Sequence, residues 1–365
     1  MKLVEFVPPT PHPLWKLCPQ MGIADVVVKV NPELTGLSDP WRYETLSSIV
    51  SRLKSAGLNV VGLEGDPFDI TPIKEFKVES EKCNNPVNPV NPVKSGNYGL
   101  REEAIAHYRE LLESMGRLGI KLLCYNFMVG KGWSRTGVRE GRGGAKATYF
   151  SLGETERNMT SDIGLKTSDA EVGSPKSEVL LLSHEQVWAN YEYFIKAVMP
   201  TAEKCGVRMG LHPDDPCLPS LGGYARIFGS VEAYDRAYAL YPSPSNAVTF
   251  CQANFKLMFT DENCQTLEGV ARHFGKRIAF IHVRDVEGTK EDFTELFHDQ
   301  GDTDQFALMR TYREIGLDVP VRGDHVPEMA YDRELTPEGT PGYFTLGRLF
   351  ANGYLKALLR GTAQG

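Results

Sequence analysis

The sequence predicts an α/β fold, a (β/α)8 TIM barrel with long loops at its C-terminal face, and three observations predict it. Short apolar runs of strand length recur eight times along the 365 residues. Amphipathic segments of helical period lie between most of them, the alternation expected of a closed parallel barrel. No Gly-rich dinucleotide loop follows the first run, which argues against a doubly wound sheet.

In chain order the runs are Leu3–Val7, Asp25–Val30, Asn59–Leu63, Lys121–Tyr125, Val207–Leu211, Ala247–Cys251, Ile278–Val283 and Val319–Arg322. Tyr43–Ala56 places Leu46, Ile49, Val50 and Leu53 on one helical face and stops at Gly57, a suitable C-cap. Arg101–Leu118 repeats the pattern with Ile105, Tyr108, Leu111, Leu112 and Met115. His184–Lys204 follows the N-cap candidate Ser183, and Val231–Leu240, Cys264–Phe274 and Phe306–Ile315 precede the last three runs. Residues 1–365 therefore read as one TIM-barrel domain. Two segments interrupt the rhythm. Asn85–Val93 is NPVNPVNPV, whose prolines favour an extended connector, a lid or a subunit contact. Residues 129–183 are Gly- and Ser-rich and read as a long loop over the barrel mouth.

A net charge of −7 argues against a general nucleic-acid surface but leaves room for an acidic small substrate. The N-terminus lacks a signal-peptide core, and no stretch approaches the length of a membrane span. The seven cysteines are scattered and include no C-x-x-C pair, as expected of free thiols in a reducing cytoplasm.

Four of the runs carry metal-ligand residue types at or beside their C-terminal ends: His212, Cys251, His282 and Asp324. Parallel barrels place their chemistry at the C-terminal ends of their strands. These residues therefore make a candidate site for a divalent metal, with zinc, manganese, iron and cobalt all suited to two imidazoles, a thiolate and a carboxylate. Asp214 and Asp215, after His212, are candidates to orient its ring or to bind the metal. Asp324 adjoins His325, which would sit at the metal's edge as an acid or base. Arg135, Arg284 and Asn126 offer donors for the carboxylate and hydroxyls of a substrate. Such a set suits chemistry at a carbon beside a carboxylate.

The motifs CYNFM with WSRT (Cys124–Met128, Trp133–Thr136), HPDDP (His212–Pro216), FCQANF (Phe250–Phe255), FIHVRD (Phe280–Asp285), GDH (Gly323–His325) and PGY (Pro341–Tyr343) resemble mannonate dehydratase. The resemblance runs from about the fourth strand to the C-terminus. It implies a xylose-isomerase-like TIM barrel that uses a divalent cation, usually Mn2+, to convert D-mannonate to 2-keto-3-deoxygluconate. It further implies His212, Cys251, His282 and Asp324 as ligands, His325 as the principal acid/base and Tyr343 as the second proton-transfer group. Arg135, Arg284 and Asn126 would then contact a small sugar acid. The expected enzyme is a cytoplasmic hydro-lyase of carbohydrate metabolism and a homo-oligomer, a dimer or tetramer. An isomerase or epimerase on the same barrel would share the metal and base but need no departing hydroxyl. A non-catalytic metal-binding barrel is the third reading. The chain departs from the family's usual pattern at Gly323, at Val326–Pro327, at Gly130–Gly132 and in the NPV repeats.

Overall fold

The structure, a computed structural model, describes residues 1–77, 96–130, 132–162, 181–259 and 265–363. All eight expected runs are strands of one parallel barrel. The first, β1, is split at Val4 into Lys2–Leu3 and Glu5–Val7. It is followed by β2 (Asp25–Val28), β3 (Asn59–Glu64), β4 (Leu122–Tyr125) and β5 (Arg208–Leu211). The ring continues through β6 (Asn246–Cys251), β7 (Ile278–Val283) and β8 (Pro320–Gly323).

Each strand pairs in parallel with its successor, and the split strand closes the ring. Lys2–Leu3 pairs with β8 while Glu5–Val7 pairs with β2. Val4, at the break, still donates its N–H to Val321 O at 2.9 Å. Two apolar layers result. Val4, Val27, Leu122, Ala247, Ala279 and Phe280 belong to a small cluster of inner side chains. A much larger cluster joins the outer strand faces to the helices. Strands buried on both faces read as continuous apolar runs, which is why β6 and β7 are buried throughout.

The barrel helices are α1 (Leu14–Gln20), α2 (Tyr43–Ser55), α3 (Gly96–Leu118) and α4 (His184–Cys205). They continue as α5 (Val231–Leu240), α6 (Leu267–Phe274), α7 (Gln305–Glu314) and α8 (Thr345–Gly361). Ser183 and Gln186 form a reciprocal capping box at the start of α4, and Gly206 ends that helix in the left-handed conformation. Helix α3 starts at Gly96 rather than Arg101. Helix α6 starts at Leu267, because Thr266 caps it by accepting from Gly269 N–H, rather than at Cys264.

Residues 129–183 are not the plain loop expected. They contain strands Gly137–Glu140 and Lys146–Ser151 and the helix Leu152–Asp162. Strand Lys146–Ser151 pairs with Asp292–Glu295, half of a hairpin that follows β7 and completes a four-stranded antiparallel sheet. Thr148, Tyr149 and Phe150 have strong β preference, but their partner strand lies far along the chain, so local composition hides the pairing. The NPVNPVNPV repeat lies outside the described residues.

The barrel interior under the site leaves little slack. A Cβ on Gly210 in β5 would lie 2.6 Å from Thr249 Oγ1, which itself donates to Gly210 O at 2.9 Å. Gly210→Val is expected to destabilise the fold by about 1–3 kcal/mol. In a thermal melt of a domain this size that is a Tm loss of roughly 1–4 °C. An unchanged Tm would show that the interior can absorb the extra carbon atoms.

Candidate metal centre and active site

The four ligand candidates leave β5, β6, β7 and β8 side by side. Register pairs Cys251 directly with His282, and Asp324 N–H donates to Val283 O at 2.9 Å. One donor atom from each of His212, Cys251, His282 and Asp324 lies within 4.8 Å of the others, so the cluster could hold a metal ion.

The chemistry of these donors fits a divalent cation. Both ring nitrogens of His282 are buried and have no hydrogen-bond partner, a costly arrangement unless a ligand takes one of them. Nδ1 is 3.5 Å from Asp324 and Nε2 is 3.7 Å from Glu64. The Nδ1 of His212 lies 2.8 Å from Pro213 O, so Nδ1–H donates there and the Nε2 lone pair is left to ligate. Burial pushes both imidazoles down to about 4, into the neutral form that binds metal. Burial also pushes the Cys251 thiol up to about 12, and it donates to Asn254 Oδ1 at 2.9 Å. A bound cation would favour the thiolate instead. Burial disfavours the Asp324 carboxylate, yet Arg322 at 2.9 Å holds it well below the usual carboxylate range. One thiolate and one carboxylate would neutralise a divalent charge.

His325 adjoins this cluster in an unusual backbone state. Its φ of +42° is in the left-handed region, which costs a non-glycine residue about 1–3 kcal/mol and tends to persist at functional sites. Nδ1 lies 3.0 Å from Glu295 Oε1. Arg135 Nη2 is also near it, at 3.2 Å, but that nitrogen donates to Asp215 and Glu295 at 2.9 and 2.7 Å. This network assigns the Nδ1 proton to the bond with Glu295. Nε2, 3.7 Å from Asp324 Oδ1, is then the basic nitrogen beside the metal ligands. The Tyr343 hydroxyl donates to the same Asp324 Oδ1 at 3.2 Å, and burial pushes its pKa well above that of a free phenol. Val326 N–H donates to Gly342 O at 2.8 Å, which ties the PGY segment to the loop carrying His325.

The expected substrate contacts divide. Asn126 lines the cavity; its Oδ1 accepts from Lys74 Nζ and Met128 N–H, which leaves its amide protons for a ligand. Arg135 and Arg284 have other partners. Arg135 directs its N–H groups to Ser134 O, both oxygens of Asp215, and Glu295. Arg284, completely buried, donates to both Glu295 oxygens, to Asp215 and to Asn254. They form the floor beneath His325 instead of extending free donors to a ligand, because each faces two carboxylates that a motif search does not connect. Asp214 accepts from Phe228 N–H at 2.8 Å and does not orient His212, a role taken by Pro213 O. Asp215 serves the two arginines.

Three site residues have no motif of their own. Glu295 comes from the hairpin after β7. Glu64 ends β3 and accepts from Arg322 Nε at 3.0 Å, and Arg322 in turn meets Asp324. Alternation within DFTEL was the only available signal for Glu295. A cavity of about 550 Å3 opens over the cluster, lined by Trp133, His212, His282, Asp324, His325 and Tyr343 among others.

The family model described as D-mannonate dehydratase (UxuA) matches residues 63–364. The chain belongs to the UxuA family. The family assignment makes it a hydro-lyase of the sugar-acid dehydratase type rather than an isomerase or a non-catalytic barrel. A mannonate dehydratase of Streptococcus equi subsp. zooepidemicus is 27% identical over 336 residues, covering 89% of this chain and 85% of that protein. One from Endomicrobium trichonymphae is 29% identical over 286 residues, covering 72% and 77%. The crystal structure of mannonate dehydratase from Streptococcus suis superimposes with a TM-score of 0.76 at 25% identity, covering 100% of this chain and 95% of that one. A xylose isomerase domain protein from Planctomyces limnophilus, at 12% identity and a TM-score of 0.55 over 100% of this chain and 98% of its own, shares the fold.

Two outcomes follow from this geometry. Cys251→Ser should weaken Mn2+ binding at least about tenfold in equilibrium dialysis, since the thiolate supplies half of the ligand charge. Equal affinity would remove Cys251 from the ligand set. The second concerns acid stability. Burial raises the Asp215 pKa, but Arg135 and Arg284 outweigh it and hold the group at about 2, below the ~3.9 of an unfolded aspartate. A depressed folded pKa contributes stability that is present above pH ~4 and lost as pH falls towards 2. Tm should therefore drop steeply between pH 4 and 2, and Asp215→Asn should flatten that slope while lowering Tm at neutral pH.

Proposed function

We propose that the chain dehydrates D-mannonate to 2-keto-3-deoxy-D-gluconate and water, with Mn2+ held by His212, Cys251, His282 and Asp324. The observation that carries this reading is that a basic imidazole nitrogen and a protonated phenol face the same ligand oxygen, Asp324 Oδ1, at 3.7 and 3.2 Å. Dehydration needs that pairing: a base to take one proton and an acid to release a hydroxyl. When bound, the cation supplies Lewis acidity that polarises the substrate carboxylate and α-hydroxyl.

His325 Nε2 takes the proton from C2, and the Glu295 carboxylate stabilises the resulting imidazolium through Nδ1–H. Tyr343 gives its proton to the C3 hydroxyl, which departs as water and leaves a C2–C3 enol. As the enol becomes the ketone, its hydroxyl proton returns to Tyr343 and C3 takes the proton held on His325. Both residues are then reset and no proton is gained or lost overall. Asn126 is placed to donate to a substrate oxygen. An epimerase would leave Tyr343 without a departing hydroxyl to protonate. The free cysteines Cys18, Cys124, Cys205, Cys217 and Cys251 support a reducing cytoplasm as the setting, and among the described residues no helix is long and apolar enough to cross a membrane.

Purified protein with Mn2+ and D-mannonate should yield a 2-keto-3-deoxy acid. His325→Ala should lower kcat by about 10²–10⁴ while metal content, read by elemental analysis, stays at the parent value. Loss of metal in that variant would mean that His325 is a ligand. No product from D-mannonate or any related aldonate would sink the substrate reading.

A further inference from the structure

The barrel mouth has two halves. Strands β5 to β8 carry the metal candidates, whereas the side formed by β1 to β4 contributes Phe6, His12, Lys29, Glu64 and Asn126 to the same cavity. In an eight-stranded ring β2 lies opposite β6, so Lys29, the residue after β2, stands across the mouth from Cys251.

Lys29 is half-buried, and its methylenes run past Gly65, where a Cβ would sit 3.4 Å from Lys29 Cδ and Cε. Lys74 and Lys256, by contrast, have direct carboxylate partners: Lys74 meets Asp66 at 2.8 Å and Lys256 meets Asp285 at 2.7 Å. Among the described residues Lys29 has no carboxylate oxygen within the 4.0 Å of an ion pair. Apart from the exposed Glu338 at the rim, charges elsewhere in the cavity are matched. Asp324 and Cys251 would balance a divalent cation, Arg322 meets Glu64, and Arg348 lies 3.4 Å from Glu5. The Glu33 carboxylate interacts with Lys29 from beyond ion-pair distance, and a half-buried ammonium without a direct ion pair favours an anionic ligand.

His12, in the segment after β1, adds a neutral donor. Its Nδ1 accepts from Leu14 N–H at 3.2 Å, so the ring proton resides on Nε2. Burial, then the Arg348 charge, push its pKa down to about 4 and keep the ring in that form at neutral pH.

We propose that Lys29, assisted by His12 Nε2–H, forms a distal anion subsite, so that the preferred sugar acid carries a second carboxylate or a phosphate on the carbon farthest from C2–C3. This deepens the dehydratase reading and rests on it for which end of the substrate meets the metal. The reacting carboxylate end occupies the β5–β8 half, and an extended chain from there points its last carbon towards β1 and β2. Lys29 then selects among acids that share the same reacting unit.

The test compares D-mannonate with its two dianionic counterparts, the acid oxidised to a carboxylate at C6 and the 6-phosphate, using Mn2+-loaded protein. Isothermal titration on His325→Ala measures binding, and kcat and KM are measured on the parent. At least one dianion should bind about tenfold or more tightly than D-mannonate, the size of one charge-assisted contact, with the difference in KM more than in kcat. Lys29→Met should collapse that ratio towards one and Lys29→Arg should restore much of it. The two dianions tell a carboxylate subsite from a phosphate subsite. Equal binding of all three acids, or a preference that survives Lys29→Met, would overturn the proposal. Tight, Lys29-dependent binding of a dianion with no turnover of any acid would support the subsite and sink the dehydratase reading instead.

Discussion

A guanidinium removed from water must be surrounded by acceptors, or its desolvation cost is left uncompensated. Arg284, fully buried behind the metal candidates, meets that constraint by gathering Asp215, Glu295 and Asn254 around itself. Those partners come from the loop after β5, the hairpin after β7 and the helical turn after β6. Two of them also hold side chains of the candidate site. Glu295 holds His325 through Nδ1, and Asn254 holds the Cys251 thiol. The charge cluster thus supports the site from below, and the same arginine that satisfies the carboxylates sets the spacing of the base and one ligand.

The antiparallel sheet above the barrel belongs to this arrangement. Strand Asp292–Glu295 brings Glu295 over β7 only because it pairs with Lys146–Ser151, so the long excursion after β4 and the hairpin after β7 depend on each other. The same excursion delivers Arg135 to Asp215 and Glu295, and Trp133 to the edge of the His325 ring at 5.4 Å. The left-handed backbone at His325 fits this picture. Local strain at that residue is tolerated because Glu295, Trp133 and the Val326–Gly342 bridge together determine where its ring lies.

Function divides around the ring of strands. The candidate metal ligands and proposed proton-transfer groups occupy the half made by β5 to β8, where four adjacent strand ends converge. The opposite half contributes donors, Asn126, His12 and Lys29, that have no part in the proton transfers. Such a division lets the substrate-facing half vary without disturbing the reaction. The departures from the family's pattern noted in the sequence do not fall on the four ligand candidates, on His325 or on Tyr343.

The eight strands, most of the helices between them and the four ligand candidates were legible in the sequence, because buried parallel strands leave continuous apolar runs and barrel chemistry sits where those runs stop; the short helix Leu14–Gln20 was not. His212, Cys251, His282 and Asp324 could be read one strand at a time. Arg135, Arg284 and Asp215 could be found but not given their place, since whether an arginine faces a ligand or a buried carboxylate depends on what lies across the barrel. Glu295 and Lys29 carry no motif at all. One takes its place through a strand pairing between distant segments, the other is singled out by lacking, among the described residues, a direct ion pair in a shared cavity. Local periodicity determined the barrel and the positions of the ligand candidates; long-range pairing and the need to match every buried charge decided which side chains brace the candidate site and which are left facing the cavity.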